Sequence, residues 1–179
     1  PSSGWGGRIL GAMSSMKNIY YIGTDPNTDN FIPELNKTRY EYVADFFNEY
    51  GLETNPFWEE PKNTYHVFQE GSEHIGEHPD FQQYKGKLDF AFTSPPYFDR
   101  EQYSADEKQS FRSYPMYHDW RDNFLKPTLT NAFNSLKNDR YLLWNIADIK
   151  IGKDTFHPLE QDSVDIIESL GGEYKGKLK

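Results

Sequence analysis

Four short apolar runs end on polar or turn residues, with helix-period segments between them, and this alternation constrains the 179-residue chain more than any other feature. The runs lie at residues 19–23 in NIYYIGTDPN, 65–69 in TYHVFQEGSE, 88–92 in KLDFAFTSPPY, and in RYLLWNIADIK. Residues 8–16 read as a helix. Leu35, Tyr42, Val43, Phe46, Phe47 and Tyr50 recur at helical spacing, with Pro33 suited to a first turn and Gly51 to a stop. Trp120, Phe124, Leu125, Leu129, Phe133 and Leu136 mark one side of a further helix. Pro127 should kink it, because proline removes a donor and crowds the preceding turn. PLEQDSVDIIESLGG gives a last helix, ended by Gly171. Strands alternating with helices predict an α/β domain with a largely parallel sheet. In such sheets ligands bind beyond the carboxyl ends of the strands. There the chain places Asp25, then Ser72 and Glu73, then the stretch from Thr93 to Tyr97.

The length suits a single domain over residues 1–179, with a core of its own. Aromatic side chains make up 17% of residues, enough to line pockets with rings under a polar surface. Zero cysteines exclude disulfides, thiolate metal sites and cysteine nucleophiles. No apolar run approaches the roughly 20 residues of a membrane span. We expect a cytoplasmic protein with no membrane partner. The net charge of -9 counts against nucleic acid as partner unless basic residues gather elsewhere. The chain starts at Pro1 without Met and stops at GGEYKGKLK, where a new strand should begin. We expect a piece of a longer chain, incomplete at both ends.

The segment SSGWGGR sets Gly4, Gly6 and Gly7 just before a helix. Glycine permits positive φ and close approach of the backbone to a ligand. A helix start also offers unpaired N–H groups. No Gly-Lys-Ser/Thr ending follows, and G-W-G-G does not match G-x-G-x-x-G, which argues against a P-loop and against a dinucleotide. Asp25, about 20 residues on in YIGTDPN, occupies the place from which an acid binds ribose hydroxyls in nucleotide-binding α/β folds. Alone, Asp25 would simply cap the turn with Pro26 and Asn27. With the glycine loop upstream, an adenosine ligand is favoured.

Diproline fixes two φ angles and removes two donors, so Pro95-Pro96 makes a stiff loop. Carbonyls that point outward, the small hydroxyl of Ser94 and the flat ring of Tyr97 suit a planar amine. The alternative is a structural turn with Tyr97 packed in the core.

TSPPY resembles the catalytic motif of the S-adenosylmethionine-dependent DNA amino-methyltransferases, (D/N/S)-P-P-(Y/F). The segments PSSGWGGR, YIGTDPN, QEGSE and FTSPPYF are similar, in type and order, to that family's cofactor loop, ribose acid, adenine-side turn and catalytic loop. The likeness extends from Pro1 to Ile149. It implies a Rossmann-like methyltransferase fold with S-adenosyl-L-methionine as cofactor. Ser2, Gly4, Trp5 and Gly6 would cradle the methionine part, and Asp25 with Pro26 would hold the ribose. Ser72 or Glu73 would lie near the adenine, and Thr93 would close the cofactor side. Ser94 and the Pro95 carbonyl would grip the target amine ahead of Pro96, and Tyr97 would stack on a base swung out of the duplex. The expected reaction is methyl transfer to cytosine N4 or adenine N6 of double-stranded DNA, in a prokaryotic or phage restriction-modification setting with a possible cognate endonuclease. The Ser form of the motif leans toward cytosine. Methylation at cytosine C5 needs a cysteine, and none exists.

Two departures from the family stand out. Its usual Asp at the head of the first loop and its preceding strand are absent, and no target-recognition segment is evident. RNA or a protein glutamine is an alternative substrate, although those relatives usually carry N-P-P-Y. A non-catalytic α/β binding module is a third reading. His74 and His78 flank Glu77, but the segment lacks H-E-x-x-H and contains Gly76, so no metal is expected. Residues 100–114 read as a loop, with two equal alternatives: a mobile loop over the target base with Arg100, Lys108 and Arg112 available to phosphates, or a disordered surface loop.

Overall fold

The computed structural model of the chain describes residues 3–15, 17–26, 30–55, 57, 59, 63–100, 110–151 and 155–178. Ser2 and the segment 101–109, with Lys108, lie outside the described residues. The chain divides into two compact units, Ser2–Glu70 and Gly71–Lys179. No helix among the described residues is long and apolar enough to cross a membrane.

The N-terminal unit runs α1 (Gly7–Ser14), β1 (Tyr20–Thr24), β2 (Phe31–Ile32), a 3-10 turn (Pro33–Leu35), β3 (Lys37–Thr38), α2 (Arg39–Thr54) and β4 (Thr64–Phe68). β1 and β4 pair in parallel, Tyr20 opposite Thr64 and Thr24 opposite Phe68. Parallel partners need a crossover, and α2 supplies it. Ile9 and Met13, four residues apart on α1, meet Tyr40 and Ala44, four apart on α2, in a buried cluster. Asn63 stitches its edge: its Oδ1 accepts the Ile19 N–H at 2.9 Å and its Nδ2 donates to the Met13 carbonyl at 2.7 Å.

Two details of α2 depart from the sequence reading. Pro33 opens the 3-10 turn that links a small antiparallel pair, β2 with β3, instead of the first helical turn. The helix starts after Thr38, whose hydroxyl accepts the Glu41 N–H while the Glu41 carboxylate accepts the Thr38 N–H. That capping box satisfies two orphan donors, and it outweighs the proline, which sits six residues before α2. Gly51 does not end the helix, because α2 continues to Thr54.

The C-terminal unit runs through a 3-10 turn (Ile75–Glu77), α3 (Pro79–Gln82), β5 (Leu88–Thr93), α4 (Ser110–Ser113) and α5 (Tyr117–Trp120). A π-helical turn (Arg121–Leu125), α6 (Lys126–Ser135), β6 (Leu136–Trp144), β7 (Ile149–Ile151), β8 (Thr155–His157) and α7 (Leu159–Ser169) complete it. β5 and β6 pair in parallel, Phe90 opposite Tyr141 and Thr93 opposite Trp144. β7 and β8 form an antiparallel hairpin where the sequence reads as one strand continuing from β6. α4 forms in what reads as loop. Residues 172–178 form no strand. α7 ends as expected, with the N–H groups of Gly171 and Gly172 returned to the carbonyls of Glu168 and Ile167, a Schellman closure.

The strain from Pro127 is taken up one turn earlier, in the π-helical turn, where the Lys126 N–H reaches back five residues to the Arg121 carbonyl. This also repairs the helix's phase. Trp120 and Leu129 are nine residues apart, two and a half α-turns, so a regular helix would put them on opposite sides. The wider turn brings Trp120, Phe124, Leu125 and Leu129 into one buried cluster with Phe98, Tyr117, Ile149 and Leu159.

The chain is thus mixed α/β, and its two crossover pairs are parallel as the alternation implies. In place of one sheet, the described strands hydrogen-bond as four two-stranded ladders.

Candidate functional site

In the N-terminal unit the glycine loop and Asp25 meet at the carboxyl end of β1. The Ser3 N–H donates to the Thr24 carbonyl at 2.9 Å, and the Ser3 hydroxyl donates to the same oxygen at 3.2 Å. Gly4 has φ 57 and Gly6 φ 84, so both occupy the left-handed region where a side chain is strained. The Gly4 N–H donates to Asp25 Oδ2 at 3.0 Å. Trp5, between the two glycines, is 84% exposed. The Asp25 N–H continues the β1–β4 ladder to the Phe68 carbonyl at 3.0 Å, so the backbone of this acid is set by the parallel pair. Pro26 follows it, partly buried.

Tyr40, from the first turn of α2, reaches the same place and is missed by sequence reasoning. Its hydroxyl lies 2.9 Å from Asp25 Oδ2 and within donating distance of the Gly4 carbonyl, and it accepts from Asn30 Nδ2 at 3.0 Å. One hydroxyl proton therefore serves two acceptors. Burial, reinforced by the charge of Asp25, pushes the Tyr40 phenol far above its usual range. Nothing in the sequence separates Tyr40 from the chain's 13 tyrosines. The hydroxyl oxygen of Thr24, next to Asp25, is buried and has no hydrogen-bond partner. Such an orphan is uncommon in a native fold, and a ligand group is one way to satisfy it.

In the C-terminal unit the TSPPY loop leaves the carboxyl end of β5. Thr93 is buried at the strand's last position, and its carbonyl accepts the Asn145 N–H at 2.9 Å. The Asn145 side chain then donates to Ser94 Oγ at 3.3 Å. The residue after β6 thus clamps the loop twice, which the sequence does not announce. Ser94 stays partly exposed, Pro95 is buried, and Pro96 and Tyr97 are partly buried. Tyr97 packs against the aromatic cluster with part of its ring still open, between the two roles that its sequence position allows.

The following turn is closed by the Arg100 N–H on the Tyr97 carbonyl at 3.0 Å. Phe98 sits inside it at φ 49, uncommon for a bulky residue. Its buried ring meets Tyr117, Trp120 and His157 edge-on, with centroids 5.7, 5.7 and 5.6 Å away. Tyr117 stacks on His157 at 4.2 Å and hydrogen-bonds Asp162. Burial and that bond hold the Tyr117 phenol protonated well beyond its ordinary range. The guanidinium of Arg100 donates to the Lys150 carbonyl at 2.9 Å, while Arg112 lies 5.9 Å from the centroid of the Phe111 ring.

Ser72 and Glu73 follow the start of the same unit. The buried Ser72 hydroxyl shares a hydrogen bond with Thr128 at 3.0 Å, and Asn131 Nδ2 donates to the carbonyls of both residues. The Glu73 carboxylate folds over Gly71, where an added Cβ would come within 2.6 Å of it. His74 Nε2 lies 3.8 Å from this carboxylate, and His78 caps α3 through the Asp80 N–H. No group of three metal-ligating side chains gathers among the described residues.

Comparison of the chain with models of protein families, with characterised proteins and with solved structures found no match.

Proposed function

We propose that this chain carries the catalytic loop and cofactor residues of an S-adenosylmethionine-dependent amino-methyltransferase of Rossmann-like fold. Its substrate is the exocyclic amine of cytosine or adenine in DNA, with cytosine favoured by Ser94. The observation that carries the reading is the TSPPY loop at the carboxyl end of parallel β5, held by Asn145 at one end and by the buried Phe98 at the other. A loop fixed at both ends is prepared to hold a reactant in one orientation, and positioning alone supplies much of the rate of a group transfer.

The residues fit the cofactor. Gly4 and Gly6 let the backbone approach a ligand, Asp25 offers carboxylate oxygen at a strand end, and the orphaned Thr24 hydroxyl lies beside it. When bound, S-adenosylmethionine supplies an electrophilic methyl on its sulfonium. Ser94 then accepts a hydrogen bond from the target N–H through the lone pair that Asn145 leaves open, and the Pro95 carbonyl accepts the other N–H. Both bonds favour a more tetrahedral nitrogen with its lone pair aimed outward. Tyr97 offers its open ring face to the base.

The net charge of -9 supports a second reading, a protein glutamine or another substrate without a phosphate chain. Mass spectrometry of nucleosides from DNA of cells expressing the chain tests both. N4-methylcytosine or N6-methyladenine should accumulate and fall roughly 100-fold with Ser94→Ala. No methylated base from protein that binds the cofactor removes DNA as substrate and favours the second reading.

A further inference from the structure

We propose that Tyr40 is a positioning residue that couples the glycine loop to ribose recognition. This rests on the reading of Asp25 as a ribose-binding acid. Three facts carry it. Asp25 Oδ2 is held at once by the loop, through the Gly4 N–H at 3.0 Å, and by α2, through the Tyr40 hydroxyl at 2.9 Å. The same hydroxyl is within donating distance of the Gly4 carbonyl, so Tyr40 bonds to both sides of the loop–acid contact. Its ring is buried, and a Cβ added at Gly6 would rest 3.6 Å from it, so the hydroxyl is aimed by packing on the loop itself.

The chemistry follows from the proton count. Tyr40 has one proton and two acceptors, and Asn30 fills a lone pair on its oxygen. When ligand hydroxyls donate to Asp25, they lower its demand for the Tyr40 proton. That proton then passes wholly to the Gly4 carbonyl and fastens the loop. A ligand without those hydroxyls leaves the proton shared and the loop less firmly held. Tyr40 thereby makes affinity for the distant methionine end depend on hydroxyls at the ribose.

The test is a two-by-two binding cycle by calorimetry on the whole chain, with no turnover involved. The protein is wild type or Tyr40→Phe. The probe is S-adenosylmethionine or its 2′,3′-dideoxy analogue. Tyr40→Phe should weaken S-adenosylmethionine about fivefold, as loss of a hydrogen bond to a neutral carbonyl does. It should change binding of the dideoxy analogue by less than about threefold. An equal loss with both probes, or no loss with either, overturns the coupling. Wild type that binds neither probe overturns the cofactor reading itself. Tyr40→Phe keeps the buried ring, and circular dichroism confirms its fold. Should it fail to fold, Asn30→Ala removes only the donor to the Tyr40 oxygen and must still penalise S-adenosylmethionine more than the analogue.

Discussion

At the scale of single residues, Phe98 is held by packing against its own backbone preference. Its left-handed φ costs about 1 kcal/mol or more, and burial against Tyr117, Trp120 and His157 offsets it. Phe98→Ala should lower stability by about 3 kcal/mol through lost packing. Phe98→Gly should be about 1 kcal/mol more stable than Phe98→Ala, reversing the usual order, because glycine adopts this φ without strain. Urea unfolding of the two variants decides it: alanine as the more stable would mean that φ here costs nothing. The tyrosines set the alkaline limit in the same way. Tyr40, Tyr65 and Tyr117 all have raised pKa values, chiefly from burial and then from neighbouring carboxylates. An unfolded phenol releases its proton near pH 10, while the native ones keep theirs. Their contribution is therefore complete below about pH 10 and is lost as pH climbs toward the folded values. Stability measured from pH 8 to 11 should fall at the top of that range, and less steeply in Tyr117→Phe.

At the scale of elements, the π-helical turn and Pro127 form a matched pair. Deleting Asn123 removes the extra residue and returns the segment to regular helix, with Pro127 now crowding the carbonyl four residues before it. The deletion should cost about 3 kcal/mol, and adding Pro127→Ala should recover most of that. Pro127→Ala in the undeleted chain should change little, because the wide turn already leaves room. Stability that simply adds across this cycle would separate the proline from the turn. Thr38→Ala should cost about 1 kcal/mol through loss of the capping box. These two elements also show what the sequence makes legible. The apolar spacing of Trp120, Phe124, Leu125 and Leu129 announces a buried helix, yet only the backbone explains how nine residues can stay on one side. Hydrophobic periodicity placed α2 but pointed to Pro33 and Gly51 as its ends, because it cannot see a side-chain hydrogen bond between Thr38 and Glu41. Asp25 and TSPPY were readable as turn chemistry at strand ends. Tyr40 and Asn145 were not, because each matters through a partner 15 or 51 positions away.

At the scale of the whole molecule, charge and ring content pull in different directions. A chain of net charge -9 with 13 tyrosines and 13 phenylalanines is equipped to stack on a base and poorly equipped to follow a phosphate backbone. If DNA is the substrate, its binding to this chain should depend weakly on salt, with a slope matching fewer than about three phosphates. Filter binding between 50 and 200 mM salt measures it, and a steep slope would reveal a basic surface that the composition hides. Some of that ring content lies open: Phe90 and Phe92 of β5 are 54% and 44% exposed, beside Tyr141 of β6 at 64%. Two of the tryptophans differ as sharply. Trp120 is sealed in the core with its indole N–H given to Ser110, while Trp5 stands in water between two left-handed glycines. The loop therefore carries its own optical reporter. A Trp5→Phe difference spectrum isolates its emission, and any small molecule that settles on the loop should announce itself as a colour change before its identity is known.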